Sequence, residues 1–241
     1  MIAFENLGYC PICEDDAQFR TNNEWLRDHY FCRRCKSIPR ERALMEVIRT
    51  NCPEWRNLVI HESSPAPRGV SKKLENECSS YISSHFRQDA DPGKIVDGFR
   101  NEDFENLTFE DNSIDLHVSQ DVMEHILDPE KAFAEIARTL KPGGKHIFTV
   151  PLVNKWNPSK RRAVRNKSGD IVHIEKPSYH GNPIGDGKSL VTVDWGFDIC
   201  EHIFAYSGMF SKLIYIDNLD MGIRAEYNEV LISYKSIRQL I

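Results

Sequence analysis

The sequence predicts an α/β fold: a doubly wound, mostly parallel sheet preceded by a small N-terminal ribbon. Three observations carry this. From residue 58 onwards, short apolar runs of strand length alternate with segments of helical periodicity. Such alternation builds parallel sheets through crossover connections. Four cysteines sit in two close pairs before residue 36. The 241 residues are 40% hydrophobic and 28% charged. Those are globular values, which exclude wholesale disorder and allow one sizeable core plus an appendage.

The ribbon comes first. Cys10-Pro11-Ile12-Cys13 and Cys32-Arg33-Arg34-Cys35 are separated by eighteen residues. Two residues between cysteines let one tight turn aim both thiolates at a single ion, and two such turns complete a closed tetrahedral zinc site. Four thiolates leave no open position, so this zinc is expected to be structural. Phe19, Trp25, Tyr30 and Phe31 lie between the knuckles and can cover a two-stranded ribbon. So short a segment has little core of its own, and the metal is expected to supply the missing folding energy.

Residues 37–49 predict a helix, with Ser37 as its cap and Ala43, Leu44, Val47 and Ile48 on one face. Asn51-Cys52-Pro53 ends it. This places the ribbon at residues 1–38 and the main domain at 39–241. Strands are expected at Leu58-Val59-Ile60, Tyr81-Ile82, Ile114 to Val118 and His146 to Val150, with a helix over Ser71 to Cys78. Asp128-Pro129 starts the clearest helix, Asp as cap and Pro at the first position, with Ala132, Phe133, Ile136, Ala137 and Leu140 on one face. Lys141-Pro142-Gly143-Gly144 stops it. Asp194 to Asp198 is expected to begin a final helix, and 213–216 with 229–234 to form a closing antiparallel pair. Ligands of such sheets bind beyond the carboxyl ends of the strands.

The formal charge is -5, a poor match to a general nucleic-acid binder. No stretch approaches the ~20 apolar residues that span a bilayer. An odd cysteine count and the absence of a secretory pattern at Met1-Ile2-Ala3-Phe4-Glu5 point to a reducing, cytoplasmic setting.

Leu107 to Leu116 (LTFEDNSIDL) resembles the LPFPDNSFDLV segment of class I S-adenosylmethionine-dependent methyltransferases, of the type 11 kind. The resemblance continues through Asp121-Val122-Met123-Glu124-His125-Ile126, Asp128-Pro129 and Leu140 to Gly144. Several linked motifs in order are more specific than one glycine loop. The family implies a Rossmann-like, seven-stranded sheet and S-adenosylmethionine as methyl donor. Its acidic-x-Gly-x-Gly-x-Gly loop falls on residues 61–69 (HESSPAPRG), where serines and prolines replace glycines. The resemblance therefore assigns the donor's methionine part to Glu62, Ser63, Ser64, Arg68 and Gly69, with Arg68 pairing its carboxylate. The ribose acid is missing, and Ser84 stands in its region. Asp103 and Phe104 match the adenine position, and Ser119, Gln120 and Asp121 should line the methionine part. His125 falls near the methyl-transfer site; a helix residue packing under the donor loop is its alternative reading.

After Val150-Pro151-Leu152 an insertion of about residues 152–200 should choose the acceptor. Residues 155–167 hold Lys155, Lys160, Arg161, Arg162, Arg165 and Lys167 without an acid. They form either a solvated loop or a lid that attracts an anionic acceptor. Within Pro177 to Pro183, Tyr179 and His180 are the acceptor-side candidates, with His180 as general base. The leading expectation is O-methylation of a small, anionic metabolite such as a sugar or glycan precursor, in carbohydrate biosynthesis. The alternatives are an RNA methyltransferase using the ribbon as a clamp and a catalytically silent methyltransferase-like binding protein. A homodimer is left open, and a membrane partner is not expected.

Overall fold

A computed structural model of the chain describes residues 4–181 and 187–237. Asn182 and Pro183 of the acceptor-side motif, and residues 1–3 of the N-terminal pattern, lie outside the described residues.

The ribbon has three strands where two are expected. β1 (Phe4–Cys10) and β2 (Asp15–Thr21) form an antiparallel hairpin, a single-turn α1 (Leu26–His29) follows, and β3 (Phe31–Cys32) pairs with β2. Pairing of Phe19 with Cys32 sets the second cysteine knuckle beside the first. Helix α2 (Pro39–Asn51) starts later than expected, because the cap is not Ser37 but Ile38. The Ile38 amide donates to Glu41 Oε2 at 3.1 Å, which satisfies an orphan donor of the first turn. Ser37 instead receives Arg42 Nη1 on its hydroxyl.

The body follows as β4 (Val59–Ser63), α3 (Gly69–Glu77), β5 (Ser80–His85), β6 (Ile95–Val96), β7 (Phe99–Asn101), β8 (Ile114–Gln120), α4 (Pro129–Thr139) and β9 (Leu140–Thr149). Short strands β10 (Lys160–Arg161), β11 (Ala163–Arg165), β12 (Ile171–His173), β13 (Tyr179–Gly181), β14 (Lys188–Leu190) and β15 (Val193–Asp194) make up the insertion. Then come α5 (Ile199–Ser207), β16 (Phe210–Ile214) and β17 (Val230–Tyr234). The main sheet has the order β16-β17-β9-β8-β4-β5-β7-β6. Its five inner strands, β9 to β7, run parallel, and both edges are antiparallel. The chain reverses its direction of winding between β4 and β8, and this topological switch point is where such sheets bind ligands.

The sheet has eight strands rather than seven. Among the described residues none between β5 and β8 is helical; a β6–β7 hairpin fills that connection. The final helix begins at Ile199, not near Asp194. Asp194 pairs with Lys160 in a strand, and Gly196 is pressed so closely on the Asn157 carbonyl that a Cβ would lie 2.2 Å from it.

Alternation along the strands splits the core in two. Ile60, Leu116, Val118, Ile147 and Ile232 face α2, α3 and the ribbon, in one cluster with Cys10, Phe19, Tyr30 and Leu44. Phe148 and Leu231 face α4 and α5, in a cluster with Phe133, Ile136, Ile199 and Ile203. A register shift between Ile114 and Leu116 sends these two residues to opposite faces. Buried Arg42 ties the ribbon to the C-terminal part. Its Nη2 donates to Tyr30 O at 2.8 Å and its Nε to Gly222 O at 3.0 Å, and its guanidinium lies 4.8 Å from the Phe19 ring centre. No helix among the described residues is long and apolar enough to cross a membrane.

Candidate functional site

The four ribbon cysteines converge. Cys10 Sγ lies 3.8 Å from Cys35 Sγ and Cys13 Sγ 3.8 Å from Cys32 Sγ, and all four sulfurs lie within 4.8 Å of one another. Zinc–sulfur bonds of about 2.3 Å at tetrahedral angles put sulfurs about 3.8 Å apart, so the spacing fits that ion. Ser37 Oγ sits 3.1 Å from Cys35 Sγ as an outer-shell partner.

At the switch point, β4 ends in Glu62-Ser63 and turns sharply into α3. Ser64 adopts a left-handed backbone (φ 55°) and its amide donates to Ser84 O at 2.8 Å. This is the conformation a glycine would take freely, supplied here by the next smallest side chain. Gly69 also has positive φ (59°), and a Cβ there would lie 2.2 Å from Glu41 Oε2, so glycine at 69 is required by the approach of α2. Arg68, the N-cap of α3, makes no side-chain cap bond. The first-turn amides of α3 therefore point towards the loop as donors for an anion.

Several assigned residues are engaged within the protein. Glu62 is buried and accepts from Ser71 Oγ (2.6 Å), Tyr81 OH (2.7 Å) and Gln120 Nε2 (2.9 Å). Burial raises its pKa. Glu62 and Gln120 thus brace the floor of the loop. Arg68 is paired with Glu41 at 3.1 Å rather than left for a donor carboxylate, because Glu41 is wholly buried and needs a cation. Ser84 is not a ribose ligand: its hydroxyl lies 2.7 Å from His61 Nε2, inside the sheet. Ser119 is likewise buried, against His146 Nε2 at 3.0 Å. Phe104 does not offer a face to an adenine, since its ring packs inward, 5.9 Å from His61 and 6.1 Å from His146. Asp103 remains half-exposed; its Oδ1 caps the Glu105 amide at 2.9 Å, and burial pushes its pKa up. Phe86, directly after β5, is 53% exposed. It is an apolar surface beyond the carboxyl end of β5 that no motif marks.

Asp121 holds the most charged corner. Its backbone is left-handed (φ 53°), its carboxylate receives Arg27 Nη2 at 2.8 Å and Thr149 Oγ1 at 3.0 Å, and Arg40 Nε forms an ion pair with it at 3.2 Å. Burial alone would raise this carboxyl, but the Arg40 and Arg27 guanidiniums outweigh it and hold it well below the usual range. Both arginines come from the N-terminal segment, so the ribbon and α2 form one wall of this corner. A lone Arg27 in a polar stretch carries no signal of this in the sequence.

On the acceptor side the structure brings His125 and His180 together, with ring centres 5.1 Å apart. Tyr179 is not part of this group: it precedes His180 on β13, so alternation turns it away, and it is 53% exposed. Glu124, which the sequence reading passed over, joins the two histidines. The insertion's cations are largely spent on the protein. Lys160 pairs with Glu175, Arg162 with Asp194, Arg165 with Glu105, and Arg161 donates to Leu127 O. A free cationic lid is therefore not what residues 160–165 form.

Two cavities, one bounded by Phe4, Thr21, Leu26 and Arg224 and one by Pro129, Arg161, Trp195 and His202, touch neither residues 62–69 nor Asp121, Glu124, His125 and His180. The constellation lies instead at the carboxyl ends of β4, β5 and β8. Residues 71–148 match the family model described as a methyltransferase domain.

The body of this chain has the α/β methyltransferase fold, with the methyltransferase-domain match on its residues 71–148. A short stretch is 52% identical over 42 residues to phosphoethanolamine N-methyltransferase 2 of Caenorhabditis elegans, 17% of this chain and 10% of that protein. The match to dimethylglycine N-methyltransferase of Parasynechococcus marenigrum is 47% identical over 49 residues, 20% of this chain and 18% of that protein. The chain thus spans less than a fifth of the length of either of these curated relatives. Among solved structures, an S-adenosylmethionine-dependent methyltransferase from Mesorhizobium loti superposes with a TM-score of 0.52 at 14% identity, covering 80% of this chain and 97% of that one. The PH0226 protein of Pyrococcus horikoshii gives 0.50 at 14% identity, covering 82% and 89%. At these identities the likeness is one of fold. The matches bear on the methyltransferase domain and leave the acceptor open.

Proposed function

We propose that the protein is an S-adenosylmethionine-dependent methyltransferase acting on a small molecule, with a structural zinc in its ribbon. The observation that carries the reading is the strand–turn–helix at residues 62–69. A left-handed Ser64 and an uncapped α3 N-terminus lie at the switch point of a sheet whose segment 71–148 matches the methyltransferase domain.

The residues fit the donor in part by substitution. The α3 amides and the hydroxyls of Ser63 and Ser64 receive the methionine carboxylate and amine, and Asp103 accepts from the adenine amine. Phe86 supplies apolar surface that Phe104 does not. When bound, the donor supplies an electrophilic sulfonium methyl group. The protein's task is then alignment and exclusion of water, and orientation of this kind is worth up to about 7–11 kcal/mol of barrier. Asp121, fixed by two arginines, sets the boundary between donor and acceptor. Glu124, His125 and His180 present the acceptor. The named relatives methylate nitrogen, but their matched stretches cover a fifth of this chain or less. Two histidines and a carboxylate suit a hydroxyl acceptor, whose proton must leave.

The test is transfer of label from methyl-tritiated S-adenosylmethionine into a metabolite extract. The expected result is label in small molecules, lost on boiling the protein. Label in RNA alone, or in nothing while the donor binds, would overturn the reading.

A further inference from the structure

The loop after β8 is held with unusual thoroughness. The Glu124 carbonyl accepts from Thr192 N (2.7 Å), Thr192 Oγ1 (3.0 Å) and Val193 N (3.3 Å), and the Met123 carbonyl accepts from Trp195 Nε1 at 3.1 Å. The side chain these bonds position is a puzzle. Glu124 is 2% exposed, yet neither carboxylate oxygen has a hydrogen-bond partner among the described residues. An unpartnered buried carboxylate costs several kcal/mol. The nearby cation, Arg27, is already bonded to Asp121.

Two imidazoles face the same Glu124 oxygen. His125 Nε2 lies 3.6 Å from Oε1 and His180 Nδ1 3.5 Å from it. His125 Nδ1 is 2.8 Å from the Leu190 carbonyl, which can only accept, so that nitrogen carries the proton. With a single proton on the ring, Nε2 is a lone pair aimed at a carboxylate, two acceptors facing each other across a gap. A charge-assisted hydrogen bond would close to about 2.7–2.9 Å. Bonds of about 2.1–2.2 Å to a shared ion put ligand atoms about 3.0–3.6 Å apart between octahedral and tetrahedral angles.

We propose that Glu124, His125 and His180 form a second metal site, which takes a divalent transition ion such as Mn2+. The Leu190 carbonyl is the outer-shell group that fixes the His125 tautomer, the usual support of a metal-bound histidine. The β13–β14 hairpin supplies both His180 and Leu190, so one element completes the site and orients its partner. Three protein ligands on one ion leave coordination positions open, in contrast to the closed cysteine site. The ligand class for those positions is an acceptor oxygen, a hydroxyl or hydroxylate, next to the donor corner. That last step rests on the methyl-transfer reading; the metal site itself does not.

The experiment is titration of the zinc-loaded full chain with Mn2+, read by loss of the free-ion electron paramagnetic resonance signal. Thiolates are a poor match for Mn2+, so the ribbon does not compete. One Mn2+ per chain is expected, weakened at least about tenfold in His180→Ala and in Glu124→Gln. His180 is half-exposed on a hairpin, so its variant folds even where the buried one fails. No binding at millimolar Mn2+, or equal binding in wild type and His180→Ala, would overturn the site. The readout needs neither donor nor acceptor, so its failure leaves methyl transfer standing, and failed methyl transfer leaves the metal site standing.

Discussion

His61, His117 and His146 stand in one register row across β4, β8 and β9, all fully buried. Their hydrogen bonds fix their protons. The Thr139 hydroxyl donates to Glu135 O at 2.9 Å, so it accepts from His117 Nε2 at 2.8 Å. His117 Nδ1 then accepts from His61 Nδ1 at 2.8 Å, and His61 Nε2 accepts from Ser84. Each ring is neutral, and burial lowers His61 and His146 to about 3. Unfolding therefore takes up protons once the pH falls below the ordinary histidine value. Stability is full above about pH 6.5 and falls as the pH drops towards 3, at up to about 1.4 kcal/mol per pH unit for each ring. Glu62, shifted up by burial, works the other way nearer its ordinary value. The variant His146→Gln keeps a donor for Ser119 and removes one proton uptake. Urea midpoints between pH 7 and 5 should fall less steeply with acid in this variant than in wild type. Parallel slopes would show that His146 is not held neutral. No motif marks this row; it emerges only when register sets three strands side by side.

At the scale of elements, the sequence was most legible where a local signal and the core agreed. Asp128 does cap α4, with Oδ1 accepting from Lys131 N at 3.2 Å, and Pro129 opens it. The closing antiparallel pair falls at β16 and β17. Ser37 misled because a serine before an apolar stripe is a good cap only if its hydroxyl is free, and here Arg42 occupies it. The donor loop was legible in position but not in detail. The Ser64 amide, Arg68 and Ser84 have partners on β5, α2 and β4 that lie far away in sequence. The ribbon carries its own prediction. Cys32→Ser should lose one zinc per chain and destabilise the protein, because structural zinc contributes folding free energy directly. A loss of ~3 kcal/mol would lower Tm by roughly 10 °C. Metal analysis and a thermal melt check this, and an unchanged Tm with no bound zinc would refute the structural role.

For the whole molecule, the ribbon and the methyltransferase domain share one hydrophobic cluster and one charged corner. Arg27 and Arg40 on Asp121, and Glu41 against Gly69, place the N-terminal segment against the proposed donor loop. This coupling explains how a loop poor in glycine keeps its shape: α2 clamps it from outside. The sequence shows the two parts and their order, but which arginine reaches which carboxylate is a property of packing. The donor site is the central claim, and calorimetric titration with S-adenosylhomocysteine tests it most directly, since the product is stable and needs no acceptor. The zinc-loaded protein should bind it at micromolar concentration, and Asp103→Ala should weaken binding at least about tenfold, the loss of one hydrogen bond to a charged group. No heat of binding at millimolar ligand, from folded protein, would contradict the account.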